Sequence, residues 1–552
     1  MYEVLNKNIK IKIFITAVFL SIDYFLVIEK KASILTAILV LMLILFSKFE
    51  IKDVDFIYKK RLFRNSYVLL YLTTITLLTQ NYLLNYEIID WDISSYLVAS
   101  NSVTSGSLPY ELQWESKGPL LFYVYGIIVK FVNGNFIYFK LINDLVLVAI
   151  SYLLYLSVKS NTKNILSVIS GTFFILLFSQ PWAISAYSEL YCLLFIAIAY
   201  YADLKIYTRK HLLIGLCFAF STLINQGSII FIIPFVIKYL KEKNISNVVK
   251  LAVGFLVPYI IVISLFAYQD LLDIFIATYI TIPLEYTSAN YSNLYELRVF
   301  LRKFFEYNSY LYFALVVVLI SIISSIKKIL SSRIVSFDLT FIAMSLAFYF
   351  IGSHNYYHHL LFLLYFISIF LKNVTNQGII FFATTFMILS LITLLTTTGN
   401  QSIDYLIDLD TVYEEYPLRE LASDIDSYFT DEYDVLALEY NLVLHYLNKN
   451  NYSYIVHPTN FLEPYIIKTL EEINYIENNY IEKLLTDQPD VVICTEWMIV
   501  RGDPIKNPIV NCSRDIFNES YMEMETSKYF KENLNYYNDP YKKIKVFLKI
   551  NN

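Results

Sequence analysis

The stretch DWDISSYLVASNSVTSGSLPYELQWESKGPLLFYVYG, Asp90 to Gly126, is polar and aromatic and directly follows a long apolar run. It begins with two carboxylates, Asp90 and Asp92, separated by one residue. A pair with this spacing can clamp a metal, can cap a helix, or can be one catalytic acid beside a bystander. On an extended segment the two side chains would point to opposite sides, which argues against the metal clamp.

The residues after Asp92 predict a short helix from Ile93 to Ser105, because they have a partial apolar face and are followed by Gly106 and Pro109. We expect this helix to lie flat on a membrane surface. Asp92 would then occupy its N-cap position and accept backbone N–H bonds, a role that needs no catalysis.

The composition indicates a membrane protein with many spans. Of the 552 residues, 57% are hydrophobic and 16% are charged, and the mean hydropathy is +0.51. Soluble domains carry about 25% charged residues. The net charge is -5 and no basic arm is present, so we expect no nucleic-acid partner. Apolar segments near the length of a span fall at 11–28, 32–48, 66–84, 119–132, 136–158, 164–180, 186–203, 211–225, 227–240, 248–268, 308–326, 337–352, 357–372 and 376–398.

This pattern divides the chain into three regions. Residues 1–65 are expected to form an extra N-terminal helical hairpin and a cytoplasmic loop. Residues 66–399 form the main transmembrane domain, whose first outer loop is 85–118. From residue 400 to 552 the chain is polar, and that length is normal for one small domain.

The distribution of Lys and Arg predicts the orientation in the membrane. The basic clusters all face the cytoplasm only if 119–132 dips into the membrane without crossing it. The count is then about thirteen transmembrane helices, with the N-terminus inside and residues 400–552 outside. The clusters are Lys48/Lys52/Lys59/Lys60/Arg61/Arg64, Lys159/Lys163, Lys205/Arg209/Lys210, Lys238/Lys241/Lys243 and Lys327/Lys328/Arg333.

The polar tail has the pattern of a small α/β domain. YDVLALE (433–439), PDVVICTE (489–496) and KKIKVFLKI (542–550) predict strands, and PLRELASDIDSYF (417–429) predicts a helix. The tail has no G-x-G-x-x-G motif, so nothing supports a nucleotide site there. We expect it to be an outer cap without chemistry of its own.

The loop resembles the first outer loop of the GT-C glycosyltransferases. The closest pattern is the branch of protein O-mannosyltransferases, the lipid A aminoarabinose transferase and RgtA/B/C/D-like proteins. That branch has an Asp, a Tyr four residues later, G-x-x-P-Y, an aromatic-acidic-x-Lys-x-Pro run and an aromatic helix. The corresponding pieces here are Asp92 and Tyr96, Gly106–Tyr110, Trp114–Pro119 and LLFYVYG. Two departures are Ile93, where the family usually has a second acid, and Gly118, where Pro is commoner.

The resemblance extends with lower specificity over residues 66–400. SAYSELYCLLF (185–195) is similar to the family's outer loop with an acid, here Glu189, that enters the next helix. LINQGSII (223–230) has Asn225 where many members have Lys. GSHNYYHHLLFLLYF (352–366) is similar to the late helix that begins with a basic residue and His-Tyr.

The resemblance implies an inverting glycosyltransferase with a sugar donor on a polyprenyl phosphate. The catalytic acids would be Asp92, as general base, and Glu115, which orients the acceptor or helps to hold a divalent metal. No cofactor is certain. The acceptor would be a lipid, a glycan or a protein outside the cell membrane. The substrate-binding set would be Tyr96, Tyr110, Trp114, Lys117, Glu189, Arg298, Arg302, His354 and His358.

Several of these residues have alternative interpretations. Arg298, Arg302 and Lys303 suit a donor phosphate at the outer surface, but they also suit anchoring to lipid headgroups. His354 and His358 are spaced to share a metal, although hydrogen bonding to a substrate serves equally.

Ionisable residues and cysteines in the apolar segments add further expectations. Glu189 and Asp144 lie in or near membrane segments, which marks them as functional candidates. For Asp144, a pair with Lys140 one turn earlier is the plainer account. Cys494 and Cys512 could form a disulfide in an outer domain, whereas the other two cysteines suit buried apolar sites.

Two rival functions remain from the sequence. A transporter or lipid-linked-sugar flippase would also have many helices and a few intramembrane charges, but internal repeats and Gly/Pro-broken helix pairs are absent from the sequence. A catalytically dead transferase relative is the other alternative, because the second acid beside Asp92 is missing.

Overall fold

The computed structural model describes residues 57–88, 90–159, 164–184, 187–205, 209–288, 316, 319–320, 323, 333–351, 356–373, 377–480, 483–484, 487–495, 499–500, 503–504, 520–529 and 544–550. The expected helices at 11–28 and 32–48, and most of 308–326, lie outside these residues.

The described residues up to 428 are mostly helical. The α-helices are α1 (Ile57–Gln80), α2 (Trp91–Thr104), α3 (Pro119–Phe131), α4 (Phe136–Lys159), α5 (Asn164–Phe178), α6 (Pro181–Ile184), α7 (Ser188–Asp203), α8 (Lys210–Ile224), α9 (Ile233–Lys241), α10 (Ile245–Tyr268), α11 (Leu272–Ile276), α12 (Ile282–Ser288), α13 (Arg333–Ile351), α14 (Leu361–Phe370), α15 (Gln377–Thr397), α16 (Gly399–Ile407), α17 (Leu409–Glu414), α18 (Pro417–Tyr428), α19 (Leu442–Leu447) and α20 (Pro464–Glu472). Short 3-10 helices cover Asn81–Leu83, Gln226–Ile232, Tyr357–Leu360, Leu371–Asn373, Pro458–Leu462 and Ser527–Tyr529, and a π-helical turn covers Ala277–Thr281.

Three helices of the described residues are long and apolar enough to cross a membrane: Phe136–Lys159, Ile245–Tyr268 and Ile380–Thr397. Shorter apolar helices pack beside them, and α3 is one of these. With 13 residues, α3 is about 20 Å long, less than the ~30 Å hydrocarbon core. Its length therefore agrees with a helix that dips without crossing, while the total of about thirteen crossings stays a prediction.

Helix α2 is buried inside the protein, so the expectation of a helix flat on the membrane surface is wrong. Every side chain from Ile93 to Val103 is buried. One side of α2 packs on α3 and the other on α19 of the tail. The partial apolar face did not predict this burial, because Ser and Thr hydroxyls in α2 donate hydrogen bonds to the helix's own carbonyls, as that of Ser100 does to Leu97. Ile93, which stands in place of an acid, belongs to the apolar core.

The tail contains the expected sheet. Its strands are β1 (Val435–Ala437), β2 (Val491–Thr495), β5 (Tyr521–Glu523) and β6 (Ile544–Lys549), in the order β1-β2-β6-β5; a separate pair consists of β3 (Ile499–Val500) and β4 (Asp503–Pro504). Strand β1 is parallel to β2, and β6 is antiparallel to both of its neighbours. All five residues of β2 are buried, which is why its sequence is a continuous apolar run. The predicted strands and the predicted helix at 417–429 are confirmed.

Buried polar contacts attach the tail to the loop 85–118. Both carboxylate oxygens of Glu87 accept N–H bonds at the start of α18, from Leu418 at 2.7 Å and from Arg419 at 3.1 Å. These N–H groups have no partner within their own helix, and a carboxylate at this end also suits the helix dipole. The hydroxyl of Ser402 donates to the carbonyl of Leu78 at 2.8 Å. Loop and tail therefore form one packed unit.

The two ends of α7 carry different polar clusters. Glu189 stands in its first turn, and Asp203 ends it about 21 Å away. Asp203 forms an ion pair with Lys238 at 2.5 Å and lies 3.8 Å from Lys210. Two of the basic clusters that orient the chain thus converge on the end of α7 opposite Glu189.

Two further expectations concern the disulfide of Cys494 and the ion pair of Asp144. Cys494 lies in β2, whereas Cys512 lies outside the described residues, so their pairing stays a prediction. The expected pair of Asp144 with Lys140 is wrong. Asp144 accepts a bond of 2.6 Å from Asn81, while Lys140 donates to the carbonyl of Tyr86 at 2.7 Å.

Candidate active site

Asp92 lies in the first turn of α2, not at its N-cap. The helix begins at Trp91, and the N-cap is Asp90, whose side chain accepts the N–H of Asp92 at 3.0 Å. Because the backbone is already helical at Asp92, the expectation that the two acids diverge along an extended segment does not apply. Asp90 is occupied as a cap, and its other oxygen accepts the hydroxyl of Tyr187 at 2.8 Å.

Asp92 and Tyr96 share one face of α2. The Tyr96 hydroxyl donates to Oδ2 of Asp92 at 2.9 Å. A separation of four residues places two side chains on the same side of a helix, which gives the Asp–Tyr spacing of the sequence motif a direct physical reason. Tyr96 is fully buried and packs edge-on against Tyr125. Its hydroxyl therefore fixes one carboxylate oxygen of Asp92.

The tail supplies the second partner of Asp92. Nε2 of His457 lies 2.9 Å from Oδ1 of Asp92. The other ring nitrogen of His457, Nδ1, accepts the backbone N–H of Thr459 at 3.2 Å. The tail therefore contributes a buried side chain to the cluster around Asp92, a contact that the sequence did not lead us to expect. Nothing in the local sequence marked His457, which is 365 positions from Asp92 along the chain.

Glu115 lies buried next to the same contact. Its Oε1 accepts the N–H and the hydroxyl of Ser116, both at 2.9 Å, and its Oε2 accepts from Asn460 at 3.3 Å. Asn460 belongs to the 3-10 helix that follows His457. The loop thus contributes Asp92 and Glu115 to the cluster, and the tail contributes His457 and Asn460.

Tyr110 and Trp114 hold the loop in place. The hydroxyl of Tyr110 donates to the carbonyl of Lys117 at 2.5 Å, and the indole N–H of Trp114 donates to Thr278 at 2.8 Å. Both side chains are fully buried. Their hydrogen-bonding groups have partners inside the protein, so a direct contact with substrate is not visible for either residue.

Charges of both signs surround Asp92. Burial tends to raise the pKa of Asp92, but the hydrogen bond and charge of His457, together with Lys117, outweigh burial and hold this pKa below its ordinary value. Burial tends to lower the pKa of His457, and the bond to Asp92 raises it overall. Burial likewise opposes the charge of Lys117, while Glu189, Asp92 and Glu115 raise the pKa of its ammonium. At neutral pH the site holds an ionised Asp92 and a cationic Lys117.

The other two acids have the opposite tendency. Burial raises the pKa of Glu115. Burial and the negative charge of Asp92 raise the pKa of Asp90 to about 7. Environments that push the pKa values of neighbouring acids apart assign them different chemical roles. Asp92 is the member of this group best suited to remain a carboxylate.

Glu189 anchors a second cluster beside the first. Its Oε1 accepts from Asn225 at 2.9 Å, and its Oε2 accepts from Ser188 at 3.1 Å. Asn225, which stands where many members of the GT-C branch have Lys, thus satisfies the acid as a neutral donor. Nε2 of His359 lies 3.8 Å from Oε1 of Glu189, and the ring of His358 stacks on that of Tyr187 at 4.2 Å.

Glu189, His358 and His359 are the residues of the described part of the chain best placed for a metal. One ligand atom from each lies within 4.8 Å of the others. Two imidazoles and a carboxylate form a donor set that suits Zn²⁺. Nδ1 of His359 is buried and has no hydrogen-bond partner among the described residues. The donor set therefore fits a divalent ion, and the expected part of His354 stays a prediction because that residue lies outside the described residues.

The remaining predicted site residues lie outside the described residues: Arg298, Arg302, Lys303 and His354.

Comparisons with known proteins gave matches among solved structures alone. The chain matches no protein-family model and no curated protein. Among solved structures it is similar to ArnT from Cupriavidus metallidurans in the apo state, with 9% identity and a TM-score of 0.49 over 77% of this chain and 92% of that chain. The undecaprenyl phosphate-bound form of ArnT gives 10% identity and a TM-score of 0.48 over 79% and 93%.

A third similar structure is AglB from Archaeoglobus fulgidus, solved with an inhibitory peptide and a dolichol-phosphate. It gives 10% identity and a TM-score of 0.44 over 80% of this chain and 70% of that chain. AglB is described as an archaeal oligosaccharyltransferase. At these identities and TM-scores the similarity carries no functional argument, which rests on the residues of the site.

Proposed function

We propose that the protein is an integral membrane glycosyltransferase that moves a sugar from a polyprenyl-phosphate donor to an acceptor hydroxyl, with inversion and with Asp92 as general base. The observation that most supports this proposal is the charge of Asp92 and its two hydrogen bonds. It is a partly buried, ionised carboxylate fixed by two hydrogen bonds, with a cation and a second acid beside it. This arrangement lies in the loop whose motif resembles that of the GT-C transferases.

The reaction needs only the donor and the acceptor. The acceptor oxygen attacks the anomeric carbon from the side opposite the phosphate, and its proton passes to the Asp92 carboxylate. The bond from the anomeric carbon to the phosphate oxygen breaks, and the polyprenyl phosphate leaves with the electron pair. A positioned carboxylate of this kind contributes about 10²–10⁴ in rate.

The charges around Asp92 fit the two substrates. Lys117 is assigned to the donor phosphate, together with Arg298 and Arg302 as a further anion site. Glu115 is assigned to orient the acceptor. His358 and His354 would donate hydrogen bonds to substrate, and Tyr96, Tyr110 and Trp114 keep the acids and Lys117 in register. Glu189 and its two histidines would hold a divalent ion if the enzyme uses one, and that ion would neutralise phosphate charge.

The proposed location is the outer side of the cell membrane. The basic clusters at Lys210 and Lys238 meet the end of α7 opposite Glu189, and such clusters favour the cytoplasm. Residues 400–552 then form an outer α/β domain that covers the catalytic domain 66–399. Nucleotide-sugars are normally absent from this side, which favours a lipid-linked donor and an acceptor lipid, glycan or protein.

The test compares two isosteric changes two positions apart. Asp92→Asn removes the base and retains a hydrogen-bonding side chain, so kcat should fall by about 10²–10⁴ while donor binding persists. Asp90→Asn keeps the cap, because Asn is as good an N-cap as Asp, and should keep substantial activity. Purified protein is assayed with a polyprenyl-phosphate sugar in detergent.

Three results would contradict the proposal. They are an active Asp92→Asn variant, equal loss in both variants, and transfer from a UDP- or GDP-sugar with no added lipid. Movement of a lipid-linked sugar across vesicles by a wild-type protein that makes no glycosidic bond would identify the flippase alternative instead.

A further inference from the structure

His457 is held from three sides. Its Nε2 faces Asp92 at 2.9 Å, and its Nδ1 accepts the N–H of Thr459 at 3.2 Å and lies 2.9 Å from the hydroxyl of the same residue. Because Nδ1 accepts from a backbone N–H, the neutral ring carries its proton on Nε2 and donates it to Asp92. The side chain has no free lone pair with which to act as the base itself.

The Asp92 carboxylate keeps room for an acceptor. An ionised carboxylate offers about four lone-pair sites on its two oxygens. Tyr96 uses one site on Oδ2 and His457 uses one on Oδ1. These two bonds fix the plane of the carboxylate and leave a lone pair on each oxygen for an incoming hydroxyl.

The position of His457 depends on the tail's attachment to the loop. The N–H of Trp114 donates to the carbonyl of Tyr454 at 2.6 Å, and the N–H of Val456 donates to the carbonyl of Trp114 at 3.1 Å. His457 follows Val456, just as Glu115 follows Trp114. The bridge between loop and tail therefore brings both residues to the site in register.

We propose that His457 is a positioning residue of the transferase site, whose Nε2–H holds the Asp92 carboxylate in the orientation that accepts the proton of the acceptor hydroxyl. The site is then complete only when the segment around His457 is attached to the loop. This inference rests on the proposed role of Asp92 as the base.

The inference implies a dependence on the charge of His457. A neutral ring lowers the basicity of Asp92 through its hydrogen bond alone. A protonated ring adds a positive charge, which makes the carboxylate a still weaker base. The rate should therefore rise with pH as His457 loses its second proton. The ionisable groups that face His457 or its partner Asp92 are Asp90, Glu115, Lys117 and His358.

The experiment uses the full-length protein with three variants at the two buried tail histidines, and Asp92→Asn for the titration of the histidines. In His457→Gln the amide nitrogen can occupy the place of Nε2 and keep donating, so most of the wild-type kcat should remain. His457→Ala loses the donor, and kcat should fall by about 10–100-fold, the usual effect of removing a partner that orients a functional ligand. KM for the donor should change little in either variant. His445→Gln is the control, because His445 is equally buried in the tail and contacts the carbonyl of Gly134 instead.

The pH profile separates positioning from a merely structural role. The wild type should show a rise in kcat at a pH above the ordinary histidine value of about 6.5, because the bond to Asp92 raises the pKa of His457, and the His457→Gln profile should lack this rise. Retained activity in His457→Ala, a Gln variant as slow as the Ala variant, or an unchanged profile in His457→Gln would each overturn the inference.

A measurement without substrate distinguishes failure of this inference from failure of the proposed function. NMR titration of ¹⁵N-labelled histidines should give a lower pKa for His457 in Asp92→Asn than in the wild type. If the wild type transfers no sugar but the titration shifts as expected, the contact is sound and the transferase proposal fails. If the titration is the same in both proteins, the contact itself is refuted.

Discussion

The backbone N–H of Trp114 donates to the carbonyl of Tyr454 at 2.6 Å, which joins the first loop to a segment 340 residues later. Val456 returns a bond to Trp114, so the two segments form a short parallel bridge. The next residue on each side, Glu115 and His457, enters the candidate active site. The candidate active site is thus assembled between two distant parts of the chain.

The first prediction tests this bridge. The side chain of Gln113 accepts the N–H of Asn451 at 2.8 Å and donates to its carbonyl at 3.0 Å. Gln113→Ala leaves these buried groups without partners, which costs about 1–3 kcal/mol. We expect the tail to become sensitive to protease and the melting temperature to fall, whereas Gln269→Ala, at an exposed position, should change neither. Unchanged proteolysis in Gln113→Ala would mean that the bridge does not hold the tail.

Local parts of this site could be predicted from the sequence, and the distant part could not. The Asp92–Tyr96 bond follows from a spacing of four on a helix, and the strands at 435–437 and 491–495 follow from short apolar runs. The burial of α2 was missed because the segment that covers it lies beyond residue 440. The cap position was assigned to Asp92 instead of Asp90 because the helix starts two residues earlier than its apolar pattern.

His457 shows why partners that are distant along the chain could not be predicted from the sequence. A single histidine between a strand-like segment and a proline has no pattern of its own. Its role depends on a docking geometry that local periodicity does not encode. Asn225 is similar: its departure from the family pattern is understandable only once Glu189 is found beside it.

The second prediction concerns Gly118, where the family more often has Pro. The N–H of Gly118 donates to the carbonyl of Ile224 at 3.0 Å, a bond that Pro cannot make. A Cβ at this position would lie 2.2 Å from the carbonyl oxygen of Leu223, which is backbone and cannot move aside. Gly118→Ala should therefore lower the free energy of unfolding by about 1–3 kcal/mol.

The control for Gly118→Ala is Gly126→Ala in α3. The contact below 3.0 Å for an added Cβ there is with the methyl group of Thr104, at 2.8 Å, and a side chain can rotate. Alanine also favours the helix by about 1 kcal/mol over glycine. Thermal unfolding in detergent should rank Gly118→Ala well below Gly126→Ala. Equal melting temperatures would show that the junction at Gly118 tolerates a side chain.

The third prediction concerns the neutral donor beside Glu189. Asn225 donates to Oε1 of Glu189 at 2.9 Å in a buried setting. Asn225→Asp replaces that donor with a second acid, so two carboxylates face each other and one must take up a proton. We expect a loss of stability that is large at pH 8 and smaller at pH 5, where a shared proton is easier to hold.

Asn244→Asp is the matched control for this change. Asn244 is an N-cap whose side chain accepts the N–H of Asn247 at 3.2 Å, and Asp accepts such a bond equally well. Melting curves of the two variants at both pH values separate a repulsion at Glu189 from a general effect of added charge. A pH-independent loss in Asn225→Asp would contradict the proposed repulsion.

The last prediction concerns stability and pH at the Asp92–His457 pair. Burial tends to lower the pKa of His457, but its bond to Asp92 raises this pKa above the ordinary value. The charge of His457 therefore stabilises the folded protein fully below about pH 6.5. This stabilisation is lost as the pH rises through the higher folded-state pKa. The pKa of Asp92 is lowered because His457 outweighs burial, so its contribution is present above about pH 4 and is lost as the pH falls further. The melting temperature of the wild type should therefore exceed that of His457→Gln most clearly between about pH 4 and 6.5, and the difference should shrink on both sides.

His445 provides a control of opposite sign, because burial lowers its pKa to about 4. A wild-type protein must keep His445 neutral at a cost below pH 6.5, so His445→Gln should gain stability relative to the wild type as the pH falls from about 6.5 to 4. Thermal unfolding of the three proteins from about pH 2.5 to 9 tests this prediction. A difference between wild type and His457→Gln that does not change with pH would mean that the pair carries no charge in the folded protein.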